Sequence, residues 1–243
     1  MTSSSTANNR HPSGLLWLSS CYALYMWAFG ALVTSLTLYL TTLHGVSTAK
    51  AYSLYAIYAG LLWFLPVIGG YVAEKCGYYE SSVVGLLMCL IGMALLCLQI
   101  TWLIYISLSL FLVGNCLFTP ALWCLVDHLY HKEDMRREAG FTLFYLIFNL
   151  GGVMGIFFST YIGSHWNYPT EFFSCFIILL ITSISLFFLK HKLTIAKGRS
   201  IQPQISYGRT KIYFTLIIGA IICVPLVTLL FSHPRVNTIL SYL

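Results

Sequence analysis

Tyr145 and Asn149 are polar side chains within the apolar run FTLFYLIFNLGG. Four residues apart, they share one face if the run is helical. An amide inside an apolar run can bridge to a neighbouring helix, or it can line a polar cavity and hold a ligand. Both readings stand on these residues alone. A second set lies in PVIGGYVAEKCG. Gly69 and Gly70 suit a helix end packed closely on a neighbour, and Glu74 with Lys75 puts an acid beside a base at a membrane edge. That pattern fits a hinge between rocking helices, or an ordinary helix-end turn with solvated charges. The third set is DHLYHKEDMRRE, where Asp127, Glu133, Asp134 and Glu138 interleave with Lys132, Arg136 and Arg137. Such a segment can pair its own charges in an exposed ion network. His128 and His131 have a metal-compatible spacing but no obviously convergent carboxylate. No Ser–His–Asp order, metal-ligand set or glycine-rich phosphate loop stands out. An enzyme, a metal and a cofactor are therefore not expected.

These residues need a medium. The chain has 243 residues, 58% hydrophobic and 8% charged, with a mean hydropathy of +0.81. Soluble domains carry about 25% charged residues. The composition predicts a polytopic membrane protein whose first partner is the lipid bilayer. Apolar runs long enough to cross it fall at 14–43, 49–73, 81–99, 102–126, 140–163, 171–189 and 211–231. Only helices and closed barrels satisfy their backbone in lipid, and runs of this length are helices, so the fold class is an all-α membrane protein. The expected layout is a disordered cytoplasmic tail (1–13), a six-helix unit (14–190), a basic linker (191–210), a seventh helix (211–231) and a short tail (232–243).

The net charge of +6 could suggest nucleic acid, but its placement points elsewhere. With the N-terminus inside, 11 of the 13 lysines and arginines fall in inner segments, leaving Lys50 and Arg235 outside. That asymmetry predicts a cytoplasmic N-terminus and no nucleic-acid partner. The eight cysteines fall almost entirely in apolar runs with no CxxC pair, as small core residues do. The first apolar run is about thirty residues long, against about 7–15 for a signal-peptide core, so no signal peptide is expected. Asp127, Lys50 and Glu171 lie at run ends, which leaves no ionisable carboxylate, lysine or arginine at depth.

GNCLFTPALWCLV followed by DMRREAGFTLFYLIFNLGG resembles the fourth and fifth helices of the proton-dependent oligopeptide transporters, within the major facilitator superfamily. Phe144, Tyr145, Asn149 and Gly151 match that family's FYxxINxG pattern, with Phe148 in place of isoleucine. GGYVAEKCG is similar to its GGxxADRxxG loop, with Glu74 for aspartate and Lys75 for arginine. Pro66 and LTLYL, at the end of the first helix, fit as well. The resemblance covers about 14–190 and implies the N-terminal six-helix bundle of the major facilitator fold. The seventh helix resembles the first of two helices that bacterial members insert between their halves.

The resemblance implies proton-driven symport of di- and tripeptides by alternating access. It also implies that Asn149 and Tyr145 contact the peptide, and that Gly69, Gly70, Glu74 and Lys75 form a conformational loop. Where the family's ExxERF lies, this chain has Tyr22, Tyr25, Met26 and Trp27, and where the family has a fourth-helix lysine it has Thr119. Proton coupling in the family's manner is not expected. The expected protein is a truncated or split transporter half in a bacterial inner membrane, which needs a C-terminal half or a second copy to complete its cavity. The competing readings are a non-transporting scaffold or accessory subunit that associates through the Gly151–Gly155 step, and a proton-independent transporter of another small solute.

Overall fold

The computed structural model describes residues 11–131, 134–197 and 209–232. Among them the chain forms seven helices and no strand: α1 (Ser13–Leu43), α2 (Thr48–Cys76), α3 (Tyr78–Cys97), α4 (Thr101–Asp127), α5 (Arg136–His165), α6 (Tyr168–Lys197) and α7 (Arg209–Ser232). All seven are long and apolar enough to cross a bilayer. Large apolar side chains such as Phe157, Phe187 and Leu226 point outward, as an integral membrane protein requires. Residues 1–10, 198–208 and 233–243, which hold most of the expected tails and linker, lie outside the described residues, as do Lys132 and Glu133.

Several expected boundaries move. α6 continues to Lys197, into the stretch read as linker, because no proline or glycine interrupts KHKLTIAK. α2 continues to Cys76, so Gly69 and Gly70 lie inside the helix rather than ending it. Gly77 alone reverses the chain into α3, at a φ of +103° that L side chains rarely adopt. Glu80, read as part of a polar break, sits in the first turn of α3 and is 7% exposed.

The helices pack as two interlocked triplets. α1 lies against α5 and α6, α4 lies against α2 and α3, and α3 meets α6. Exchanging α1–α3 for α4–α6 returns the same set of contacts, which is how the two three-helix repeats of a transporter half are related. α7 rests mainly on α4, where the Thr228 hydroxyl donates to Ser109 Oγ at 2.9 Å.

Glycine lets the α1–α5 and α2–α4 seams close. A Cβ on Gly151 or Gly155 would run into the backbone of Ala23 or Trp27 on α1. A Cβ on Gly69 would strike the Cys116 carbonyl on α4. Small residues let helix backbones approach to this degree. The Gly151–Gly155 step is therefore filled by α1, inside the bundle. The scaffold reading loses the face it was to use, because that face is not open to another protein.

Candidate functional site

α1, α2, α4 and α5 line a half-open cavity of about 590 Å³. Ligand pockets for small molecules run about 300–1,000 Å³. Its walls are largely aromatic, with Tyr22 from α1, Tyr55, Tyr58 and Trp63 from α2, Trp123 from α4 and Phe148 from α5. Four further polar groups interrupt them: Asn115, Thr119, Tyr145 and Asn149. No lysine, arginine, histidine or carboxylate lines the cavity among the described residues.

Tyr145 and Asn149 both reach this space, one helical turn apart on α5. The Asn149 side-chain amide donates to the Tyr145 carbonyl at 2.8 Å, and the side chain has no other hydrogen-bond partner among the described residues. Its Oδ1 acceptor and second N–H remain available. Tyr145 is 54% exposed and packs edge-on to Phe148. The pair is one wall of the cavity and not a bridge to another helix.

Two of the positions where the resembling pattern carries charges, Tyr22 and Tyr25, belong to a packed aromatic cluster. Tyr22 stacks on Phe144 and Tyr25, with Phe148 tilted against it at a centroid distance of 4.7 Å. Offset and edge-on ring pairs stabilise beyond their buried area. The Tyr25 hydroxyl and the Thr119 hydroxyl each donate to Asn115 Oδ1 at 2.7 Å, occupying both lone pairs of that oxygen. Asn115 was not singled out from the sequence, although an asparagine in the apolar stretch GNCLFTPAL was a visible signal.

The other expected site residues lie away from the cavity. Glu74 and Lys75 occupy the last turn of α2, and no ion pair joins them among the described residues. Successive helical residues point apart, which accounts for this. Lys75 instead sits 5.6 Å from the centre of the Tyr71 ring, within cation–π range.

At the end of α4, Asp127 pairs with Arg137, and Asp134 pairs with Arg136 at 2.9 Å, so four of the segment's charges pair among themselves. Asp134 also accepts from the Arg136 backbone N–H, the first amide of α5. The Arg136 side chain, and then its backbone N–H, hold the Asp134 carboxyl below its ordinary range. His128 Nδ1 bonds the Cys124 carbonyl at 2.7 Å, which takes up one of its ring nitrogens.

Glu171 was read as a residue at a span end. It is 0% exposed. It sits in the first turn of α6, and Ser35 Oγ of α1 and Ser159 Oγ of α5 are each within hydrogen-bonding distance of its Oε1. Three residues from three helices thus meet at one point. No run-by-run reading could show this, because the two serines are ordinary members of apolar runs.

Comparisons with known proteins agree with the fold. The Major Facilitator Superfamily pattern matches residues 18–243. Dipeptide and tripeptide permease A of Erwinia pyrifoliae is 27% identical over 162 residues, covering 64% of this chain and 32% of the permease. Dipeptide and tripeptide permease B of Aeromonas hydrophila subsp. hydrophila is 26% identical over 168 residues, covering 68% of this chain and 34% of the permease. Among solved structures, a bacterial homologue of the human drug peptide transporters PepT1 and PepT2 superposes with a TM-score of 0.80 at 19% identity. That superposition covers 94% of this chain and 53% of the homologue. A peptide transporter crystallised with sulfate superposes with a TM-score of 0.74 at 23% identity, covering 92% of this chain and 47% of the transporter. The chain spans about a third of the length of its curated relatives and about half of these structures. With its six-helix bundle, its two interlocked triplets and one further helix, the chain belongs to the Major Facilitator Superfamily.

Proposed function

We propose that this chain forms the N-terminal half of a peptide transporter, and that its cavity is one wall of a site for di- and tripeptides. The observation that carries the reading is the shared cavity face of Tyr145 and Asn149. Asn149 offers an acceptor and a donor, which is what a peptide bond needs, and the aromatic walls offer apolar surface to side chains. The named activity of the permease relatives supports the same reading. A peptide ammonium can rest on the tyrosine and tryptophan rings, while this wall holds no cation for the peptide carboxylate. The complementary charge belongs to a C-terminal half or a second copy across the cavity. Alternating access by rocking of two bundles around such a site requires that second wall. Gly69, Gly70, Glu74 and Lys75 act as the turn of α2 that shifts against α4 during that motion.

The membrane is the bacterial inner membrane, with the N-terminus on the cytoplasmic side. The bacterial relatives support the first statement, and the lysine and arginine asymmetry supports the second. The test is uptake of a labelled dipeptide by cells lacking their own peptide transporters. This chain is expressed alone and with a C-terminal half from a relative. Uptake is expected only with both halves, and Asn149→Ala is expected to reduce it about tenfold, or about 1.4 kcal/mol. Uptake unchanged by Asn149→Ala removes that residue from the site.

The uncharged cavity favours a second reading, a proton-independent transporter of another small solute. In that case uptake, once assembled, is indifferent to a collapsed proton gradient.

A further inference from the structure

The cluster around Glu171 lies outside the cavity, and the peptide reading does not use it. Ser35 Oγ, Ser159 Oγ and Glu171 Oε1 form a closed triangle, with O···O edges of 2.8, 2.5 and 2.5 Å. Each edge at such a length needs a proton between its two oxygens. The two serine hydroxyls supply two. A carboxyl proton on Oε1 supplies the third and closes a ring in which every oxygen donates once and accepts once. An ionised carboxylate would leave one edge as a contact between lone pairs.

The second oxygen tells the same story. Oε2 is buried with no hydrogen-bond partner. A charge shared onto an oxygen with no donor is costly in a dry interior, whereas a neutral carbonyl oxygen there costs far less. No lysine or arginine pairs with Glu171 among the described residues. The nearby titratable groups are Tyr168 and Cys175 on α6, Tyr39 on α1, with His44 against its ring, and Cys97 of α3 near Cys175 and Tyr39. None is a standing cation at neutral pH except a protonated His44, and burial holds that histidine toward its neutral form.

We propose that Glu171 binds an exchangeable proton. The neutral acid ties α1, α5 and α6 together at one membrane face, and ionisation loosens them. The ligand is a proton exchanged with water at the end of α6, one turn from the α5–α6 connection. On ionisation the carboxyl O–H breaks, its electron pair stays on Oε1 and the proton passes to water. Nothing in this depends on what the cavity transports.

The experiment uses the purified full chain in lipid nanodiscs and infrared spectroscopy in H2O and D2O. At neutral pH the wild type should show a deuterium-sensitive stretch of a protonated carboxyl that is lost completely in Glu171→Gln. Glutamine keeps the shape of the neutral acid, so the variant should fold. Raising the pH should remove the band and lower the melting temperature in the wild type, with no matching fall in Glu171→Gln. The band should not respond to exchange of potassium for sodium.

A neutral-pH spectrum with no band assignable to Glu171 overturns the proposal. So does a band that disappears when sodium is added, which would make the cluster a metal-ion site. If Glu171→Gln fails to fold, Ser159→Ala gives the readout. Breaking the ring should keep the band but shift its frequency, and an unshifted band overturns the ring.

Discussion

The seam between α1 and α5 ends in two polar sites that treat their hydrogen bonds oppositely. At the cavity end, Asn149 leaves an acceptor and a donor unused, and the space in front of it is open. At the other end, Ser35, Ser159 and Glu171 Oε1 bond one another in a buried site. Spare hydrogen-bonding capacity at a cavity is what a ligand can use. A closed ring of buried partners holds helices together, because each group would be costly to bury alone. The same pair of helices thus carries a site suited to binding and a site suited to cohesion.

The largest expected effect removes the comparison altogether. Gly155→Leu drives a side chain into the α1 backbone at Trp27. Overpacking of this kind costs about 1–3 kcal/mol or more. Size-exclusion chromatography in detergent should show loss of the monodisperse protein. A well-behaved Gly155→Leu protein would mean that the seam is looser than its geometry.

Next, Glu171→Ala and Asn149→Ala should separate the two ends. Emptying the sealed site leaves a void and two serines with only each other, at a cost of about 2–3 kcal/mol. Asn149→Ala, at the half-open end, should stay within about 0.5 kcal/mol in stability. Thermal unfolding in detergent measures both. Equal losses would erase the distinction between a binding end and a cohesive end.

A smaller effect tests the cavity's own support. Tyr25→Phe removes one of two donors to Asn115 Oδ1 and should cost about 1 kcal/mol. Thr119→Ala should cost a similar amount, and the double variant should cost more than the sum if the amide oxygen is then left bare.

The smallest expected effect lies outside both ends, at the start of α5. The Asp134 carboxyl is held below its ordinary range, so its contribution is present above that range and is lost as pH falls through the lowered value. Asp134→Asn should lower the unfolding midpoint slightly at neutral pH. The difference from wild type should vanish in acid, once wild-type Asp134 is itself protonated.

The cavity wall was more legible in sequence than the sealed site. Tyr145 and Asn149 are four residues apart on one helix, so their common face follows from helical pitch alone. That the face meets α1, α2 and α4 around a void was not contained in the spacing. The Gly151–Gly155 step was legible as a close approach, but its partner was not, and α1 takes the place an outside helix had been given. Gly69 and Gly70 were read as a helix end. Glycine weakens a helix without ending it, and the tight α2–α4 seam keeps α2 helical through both. Asp127, Asp134, Arg136 and Arg137 were legible as a self-pairing set because their partners are close in the chain.

The sequence by itself determined the medium, the seven spans and the fold class, because apolar length and charge placement are local properties of a chain in a bilayer. Its motifs also carried the family, through residues only a few positions apart. Tertiary structure alone decided what the buried polar groups do. Ser35, Ser159 and Glu171 lie 124 and 136 residues from one another along the chain for the two pairs involving Ser35. Their meeting depends on which helix faces pack together, and helix pairing is set by complementary shape across the whole bundle, not by any one run.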